Sequence, residues 1–142
     1  MKLVLEMFNV NMKPGDTLKI KGVIEPDAER FAVNLGTDPS RYALHFNPRF
    51  DDEVDGCVIV CNNKEEGEWS TEQRDEDFPL KKGESFKISI TFQGDVFEIK
   101  LPEDRVLEFP NRSCAEILTY LVIEGQVRVK GLKFDYLPEV AL

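Results

Sequence analysis

Apolar and polar residues alternate with a period of two along most of the chain, and nowhere does a helical period persist through several turns. Between Ser85 and Phe92 the even positions are Phe86, Ile88, Ile90 and Phe92, and the odd ones are Ser85, Lys87, Ser89 and Thr91. Side chains of a strand point alternately to its two faces, so this segment reads as a half-buried strand. Similar rows are Leu18, Ile20 and Ile24; Phe31, Val33 and Leu35; Phe97, Ile99 and Leu101; and Leu107 and Phe109. Turn signals separate them: Pro14-Gly15, Pro26-Asp27, residues 36–39, Lys82-Gly83, Gly94-Asp95, Pro102-Glu103-Asp104 and Pro110-Asn111. Strand-sized pieces thus recur about every ten residues, the spacing of an antiparallel sandwich or barrel. The last strand changes phase at Gly131, which predicts a β-bulge. The one helix expected is short, over residues 115–119.

Composition narrows the picture. The 142 residues, with no repeat or linker, predict a single domain over 1–142. The formal net charge is −9 and the lysines and arginines are scattered, which argues against nucleic acid and anionic membrane surfaces as partners. Glu6 and Asn9 interrupt the opening apolar stretch before a signal peptide can form. No segment approaches the roughly 18 apolar residues of a membrane span. The expectation is synthesis in the cytoplasm, with any extracellular role reached by unconventional secretion. Cys57, Cys61 and Cys114 are odd in number and lack a CxxC pair, so free thiols are expected, with no disulfide framework, no metal and no cofactor.

Candidate chemistry lies in residues 41–50 (RYALHFNPRF). Read as a regular strand, Tyr42, Leu44, Phe46, Pro48 and Phe50 face the core. Arg41, Ala43, His45, Asn47 and Arg49 face outward. His45, Asn47 and Arg49 then form one row of planar groups with fixed donors and acceptors. Pro48 removes a backbone donor, which argues for an edge strand or a bulge. A strand opening at Val58–Val60 ends at Asn62, and the turn-like NNKEEGE follows. Trp69 comes next among Glu65, Glu66, Glu68 and Ser70, without apolar company. If residues 70–74 are extended, Glu72 and Arg74 share a face and Trp69 projects from a bend before them. An exposed aromatic beside fixed polar groups suits a sugar. Galactose presents C–H groups on one face for an indole, and its axial O4 needs both a donor and an acceptor.

These segments resemble the galectin family. HFNPRF at residues 45–50, VCN at 60–62 and WSTEQR at 69–74 match its carbohydrate-recognition pattern. MKPGDTLKIKG at 12–22, VNLG at 33–36 and FPNR at 109–112 are similar too, in the family's order and spacing. The resemblance implies an all-β, two-sheet antiparallel jelly-roll β-sandwich and a metal-independent lectin for β-galactosides on glycoproteins and glycolipids. By position His45, Asn47 and Arg49 would hold the axial O4, and Asn62 and Glu72 would reach O6. Arg49, Glu72 and Arg74 would contact the neighbouring sugar, and Trp69 would stack on galactose. The resemblance also implies a homodimer through the terminal strands, residues 3–10 and 127–136. Residues 137–142 (LPEVAL) run past the usual end and leave a monomer or another dimer open. The acidic loop 51–56 (DDEVDG) would border the site, with Glu53 and Asp55 tuning what is accepted.

Two rival classes stand beside the lectin. A glycosidase needs two carboxylates set across the bond, and only Glu72 falls in the expected site. His45 has no serine or cysteine motif beside it, so an enzyme is not expected. A galectin-like structural or protein-interaction module with weak or no sugar binding is the alternative. All seven contact positions being present argues for the lectin.

Overall fold

The computed structural model describes residues 1–138 and contains, among them, twelve strands and no helix. They are β1 (Leu3–Met12), β2 (Thr17–Ile24), β3 (Phe31–Asp38), β4 (Arg41–Asp52), β5 (Gly56–Glu65), β6 (Glu68–Trp69), β7 (Gln73–Asp75), β8 (Ser85–Phe92), β9 (Val96–Lys100), β10 (Val106–Pro110), β11 (Leu118–Gly125) and β12 (Val127–Asp135). One sheet runs β1-β11-β3-β4-β5-β6, with β7 also pairing β5, and the other runs β10-β9-β8-β2-β12. Every pairing is antiparallel. The alternating apolar rows supply the shared core, in which Phe31, Phe46, Phe92, Phe97 and Phe109 are fully buried. Burying such a side chain is worth about 1.5–3 kcal/mol, so this interface is what holds the two layers together as a jelly-roll sandwich.

The bulge expected near Gly131 is present: the β12–β2 register slips between Val129 and Gly131. A second bulge, in β4, overturns part of the reading of residues 41–50. Gly36 pairs with Tyr42 and Leu35 with Leu44, so Ala43 is an extra residue in the ladder. Ala43 therefore turns into the core, and Tyr42 joins Tyr120 and Val122 in a separate cluster. Gly36 permits this close approach, since a Cβ there would lie 1.9 Å from the Arg41 carbonyl oxygen.

Pro48 marks neither an edge nor a bulge, because β4 lies between β3 and β5 and Pro48 pairs with Ile59. It opens a gap in the β3–β4 ladder, which resumes only as a single bridge between Arg30 and Arg49. Strand β5 also continues beyond Asn62 to Glu65. Glu66 and Gly67, at φ of 50° and 80°, turn it directly into β6, as a two-residue hairpin with both central residues at positive φ requires.

Residues 115–119 form no helix. Asn111 Nδ2 donates to the Ala115 carbonyl at 2.9 Å, and Leu118 already belongs to β11 opposite Met12. Of residues 137–142, Leu137 and Pro138 are described, and 139–142 lie outside the described residues. Tyr136 donates its hydroxyl to the Val10 carbonyl, and Leu137 N donates to Asp16 Oδ1 at 2.7 Å, tying this end to β1 and the turn after it.

Candidate functional site

The site begins with a consequence of Pro48. Phe50 N donates to the Glu29 carbonyl at 2.7 Å, which sets the alternation of hydrogen-bonded pairs between these segments. Two residues back in that alternation Phe31 faces Pro48, which has no N–H to give. Asn47 Nδ2 takes the place of that donor, reaching the Phe31 carbonyl at 2.8 Å. Its amide is thereby fixed, and Asn47 Oδ1 accepts from Arg49 Nε at 2.9 Å. The Asn-Pro-Arg run is thus one device: the proline creates the vacancy, the asparagine fills it, and the asparagine aims the arginine.

His45 is fixed from the neighbouring strand. Asn34 Nδ2 donates to the Val122 carbonyl at 3.2 Å and to Glu124 Oε1 at 3.4 Å, which leaves Asn34 Oδ1 facing His45 Nδ1. An amide oxygen accepts only, so Nδ1 carries the hydrogen and Nε2 keeps a free lone pair. Burial, and then the Arg49 charge, hold the imidazole pKa down to about 4 from its ordinary 6.5. His45 is therefore a neutral acceptor near pH 7.

Arg49 and Arg74 are tied through carboxylates. Arg49 reaches Asp52 at 3.1 Å and Glu72 at 3.2 Å. Arg74 reaches Asp52 at 2.9 Å, Asp55 at 2.8 Å and Glu72 at 3.0 Å. The Arg74 hydrogen bond, with others from the backbone N–H of Asp55 and from Arg49, holds the Asp52 carboxyl far below the usual carboxylate range. Of the two acidic residues expected to tune what is accepted, Asp55 accepts from Arg74, and Glu53 is exposed.

Trp69 is carried by the β5–β6 hairpin opposite Lys64. It is 49% exposed, although the chain has no other tryptophan and such a side chain would serve a core well. Its ring centroid lies 4.4 Å from His45 and 6.0 Å from Tyr42, and Lys64 Nζ stands 5.0 Å from it. The segment after it is pinned twice. Asn62 Nδ2 donates to the Ser70 carbonyl at 2.8 Å, and Arg112 donates to the Thr71 carbonyl at 2.6 Å and to Asn63 Oδ1 at 3.2 Å.

His45, Asn47, Arg49, Asn62, Trp69 and Glu72 line one groove of about 320 Å³ on the seven-stranded sheet. Arg74 is not on its wall and stands behind Glu72. Met1, Arg30, Ser70 and Glu124 complete the lining and were not singled out from the sequence. Nor were Asn34 and Asp52, which orient the row. Asn34 sits in a strand buried on both faces, and Asp52 reads as loop. Among the described residues no group of three or more His, Cys, Asp or Glu could hold a metal ion.

The family model for galactoside-binding lectins matches residues 4–134. The 16 kDa beta-galactoside-binding lectin of Gallus gallus is 44% identical over 131 residues, covering 92% of this chain and 97% of its own. The solved structure of CG-16, a homodimeric agglutinin from chicken liver, superposes with a TM-score of 0.88 at 44% identity, over 92% of this chain and 98% of that one. The toad ovary galectin in complex with thio-digalactose superposes with a TM-score of 0.90 at 36% identity, over 95% and 100%. The chain belongs to the galactoside-binding lectin family, the galectins.

Proposed function

We propose that residues 1–142 act as one carbohydrate-recognition domain whose groove binds β-galactosides such as lactose or N-acetyllactosamine. The observation that carries this reading is the half-exposed Trp69 indole held 4.4 Å from a neutral, oriented His45. The indole covers the C–H face of galactose. His45 Nε2 accepts from the axial O4 hydroxyl, and Arg49, with two N–H groups left after its bonds to Asn47, Asp52 and Glu72, donates to the same oxygen. Asn62 retains one N–H beyond its bond to Ser70 and, with Glu72, serves O6. Arg74 works chiefly by holding Glu72 in place.

Sugar hydroxyls exchange water for protein, so each contact nets about 0.5–1.5 kcal/mol and single-site affinity is modest. The groove is built for binding rather than for general-acid catalysis: both Glu72 oxygens are engaged by guanidinium groups, and Glu124, the other carboxylate of the lining, accepts from Asn34. The homodimeric chicken agglutinin suggests the same assembly here, through β1 and β12, the outermost strands of their sheets. Two grooves on one particle would raise avidity. Retention on a lactosyl column, release by free lactose and indifference to chelator test the reading. Passage straight through the column, by folded protein, would favour the interaction-module alternative.

A further inference from the structure

The cations that look scattered in the sequence are gathered by strand register on the outer face of the five-stranded sheet. Lys21 on β2 lies directly opposite Lys87 on β8, Lys19 lies directly opposite Lys133 on β12, and the β12 bulge adds Lys130 beside Lys21. Like charges in directly opposed positions destabilise a sheet. Asp135 relieves one pair, at 3.0 Å from Lys19 and 3.4 Å from Lys133. Among the described residues, no carboxylate within 4 Å relieves Lys21, Lys87 or Lys130, in a chain whose net charge is −9. The same three lysines line a depression of about 480 Å³, together with Val23, Phe86 and Pro102. Lysine stems are apolar and only their tips are charged, so the depression combines an apolar wall with unpaired cations.

We propose that this depression binds a small amphiphilic anion. Its apolar body rests against Val23, Phe86 and Pro102, and its carboxylate, sulfate or phosphate head is held by Lys21, Lys87 and Lys130. By register Asp135 and Glu98 both lie in the row of Thr17 and Thr91, at one end of this face, and Arg128 on β12, opposite Val23, adds a further cation at the other end. The depression lies on the sheet that does not carry Trp69, so its occupant leaves the groove open.

The test titrates the full chain with decanoate, decanol and inorganic sulfate, read by backbone amide chemical shifts. Decanoate should saturate with shifts centred on residues 21–23, 85–87 and 130. Decanol and sulfate should bind at least about tenfold more weakly, since each supplies only half of the recognition. The double variant Lys21→Glu, Lys87→Glu should weaken decanoate at least about tenfold and leave lactose affinity unchanged. The milder Lys21→Gln, Lys87→Gln pair should fall between and remain fully folded. Decanoate shifts centred in the groove, decanol binding as tightly as decanoate, or a folded charge-reversed variant binding decanoate like the native chain would each overturn the proposal. Binding to phosphatidylserine vesicles without binding to dissolved decanoate would overturn it as well, in favour of a membrane surface.

Discussion

Acid should weaken this protein through His45 before it touches the carboxylates. In the unfolded chain the imidazole takes up its proton near pH 6.5, and in the folded chain only near pH 4. Between those values the unfolded state binds more protons, so stability falls as pH falls. At about 1.4 kcal/mol per pH unit of separation, the loss reaches about 3 kcal/mol by pH 4. The folded carboxylates Asp16, Asp38, Asp52 and Asp135 are depressed below 3.8, so their contributions are whole above that pH and are lost only on its acid side. The windows therefore separate. Urea unfolding of the native chain and His45→Gln at a series of pH values should show the native curve steeper between pH 6.5 and 4. Lactose affinity should stay level down to about pH 5 and then fall toward a slope of one proton, because protonated Nε2 cannot accept from O4. Parallel unfolding curves, or an affinity midpoint near pH 6.5, would refute the reasoning by showing an imidazole that behaves as though in water.

Three substitutions probe the supports of the site. Asn34→Ala leaves the buried His45 Nδ1–H without its acceptor and should cost about 1–3 kcal/mol of stability, measured by chemical denaturation, together with a loss of lactose affinity. Asp52→Asn removes the carboxylate shared by Arg49 and Arg74, and calorimetry should find lactose binding about fivefold weaker, with Asp55→Asn milder because it touches Arg74 alone. Gly36→Ala drives a Cβ to within 2.8 Å of Tyr42 Cα as well as against the Arg41 carbonyl, and should lower stability by about 1–3 kcal/mol on thermal unfolding.

What could be read from the sequence follows from where the strands are regular. Past the β4 bulge the alternation holds, so His45, Asn47 and Arg49 share a face as spacing predicts. Before it, one inserted residue exchanges the faces of Tyr42 and Ala43, and periodicity carries no mark of that. Trp69 is legible by its acidic company, although the two-residue turn at Glu66-Gly67 that carries it is hidden within a longer turn-like run, residues 62–68. Asn34 hides in an apolar row because it is buried with it, and only the partner it finds on β4 reveals its task. The cationic outer face was invisible for a related reason. Its lysines come from β2, β8 and β12, far apart in the chain and adjacent only through register.

Recognition of the axial hydroxyl of galactose, as proposed, rests on an open indole beside an oriented polar row. Trp69 is the sole tryptophan of the chain, so its fluorescence reports the groove without labelling. Titration with lactose should shift the emission to shorter wavelength and saturate, while cellobiose, which differs at the orientation of O4, should leave it unchanged. Emission unmoved by lactose, or moved equally by both disaccharides, would contradict the account.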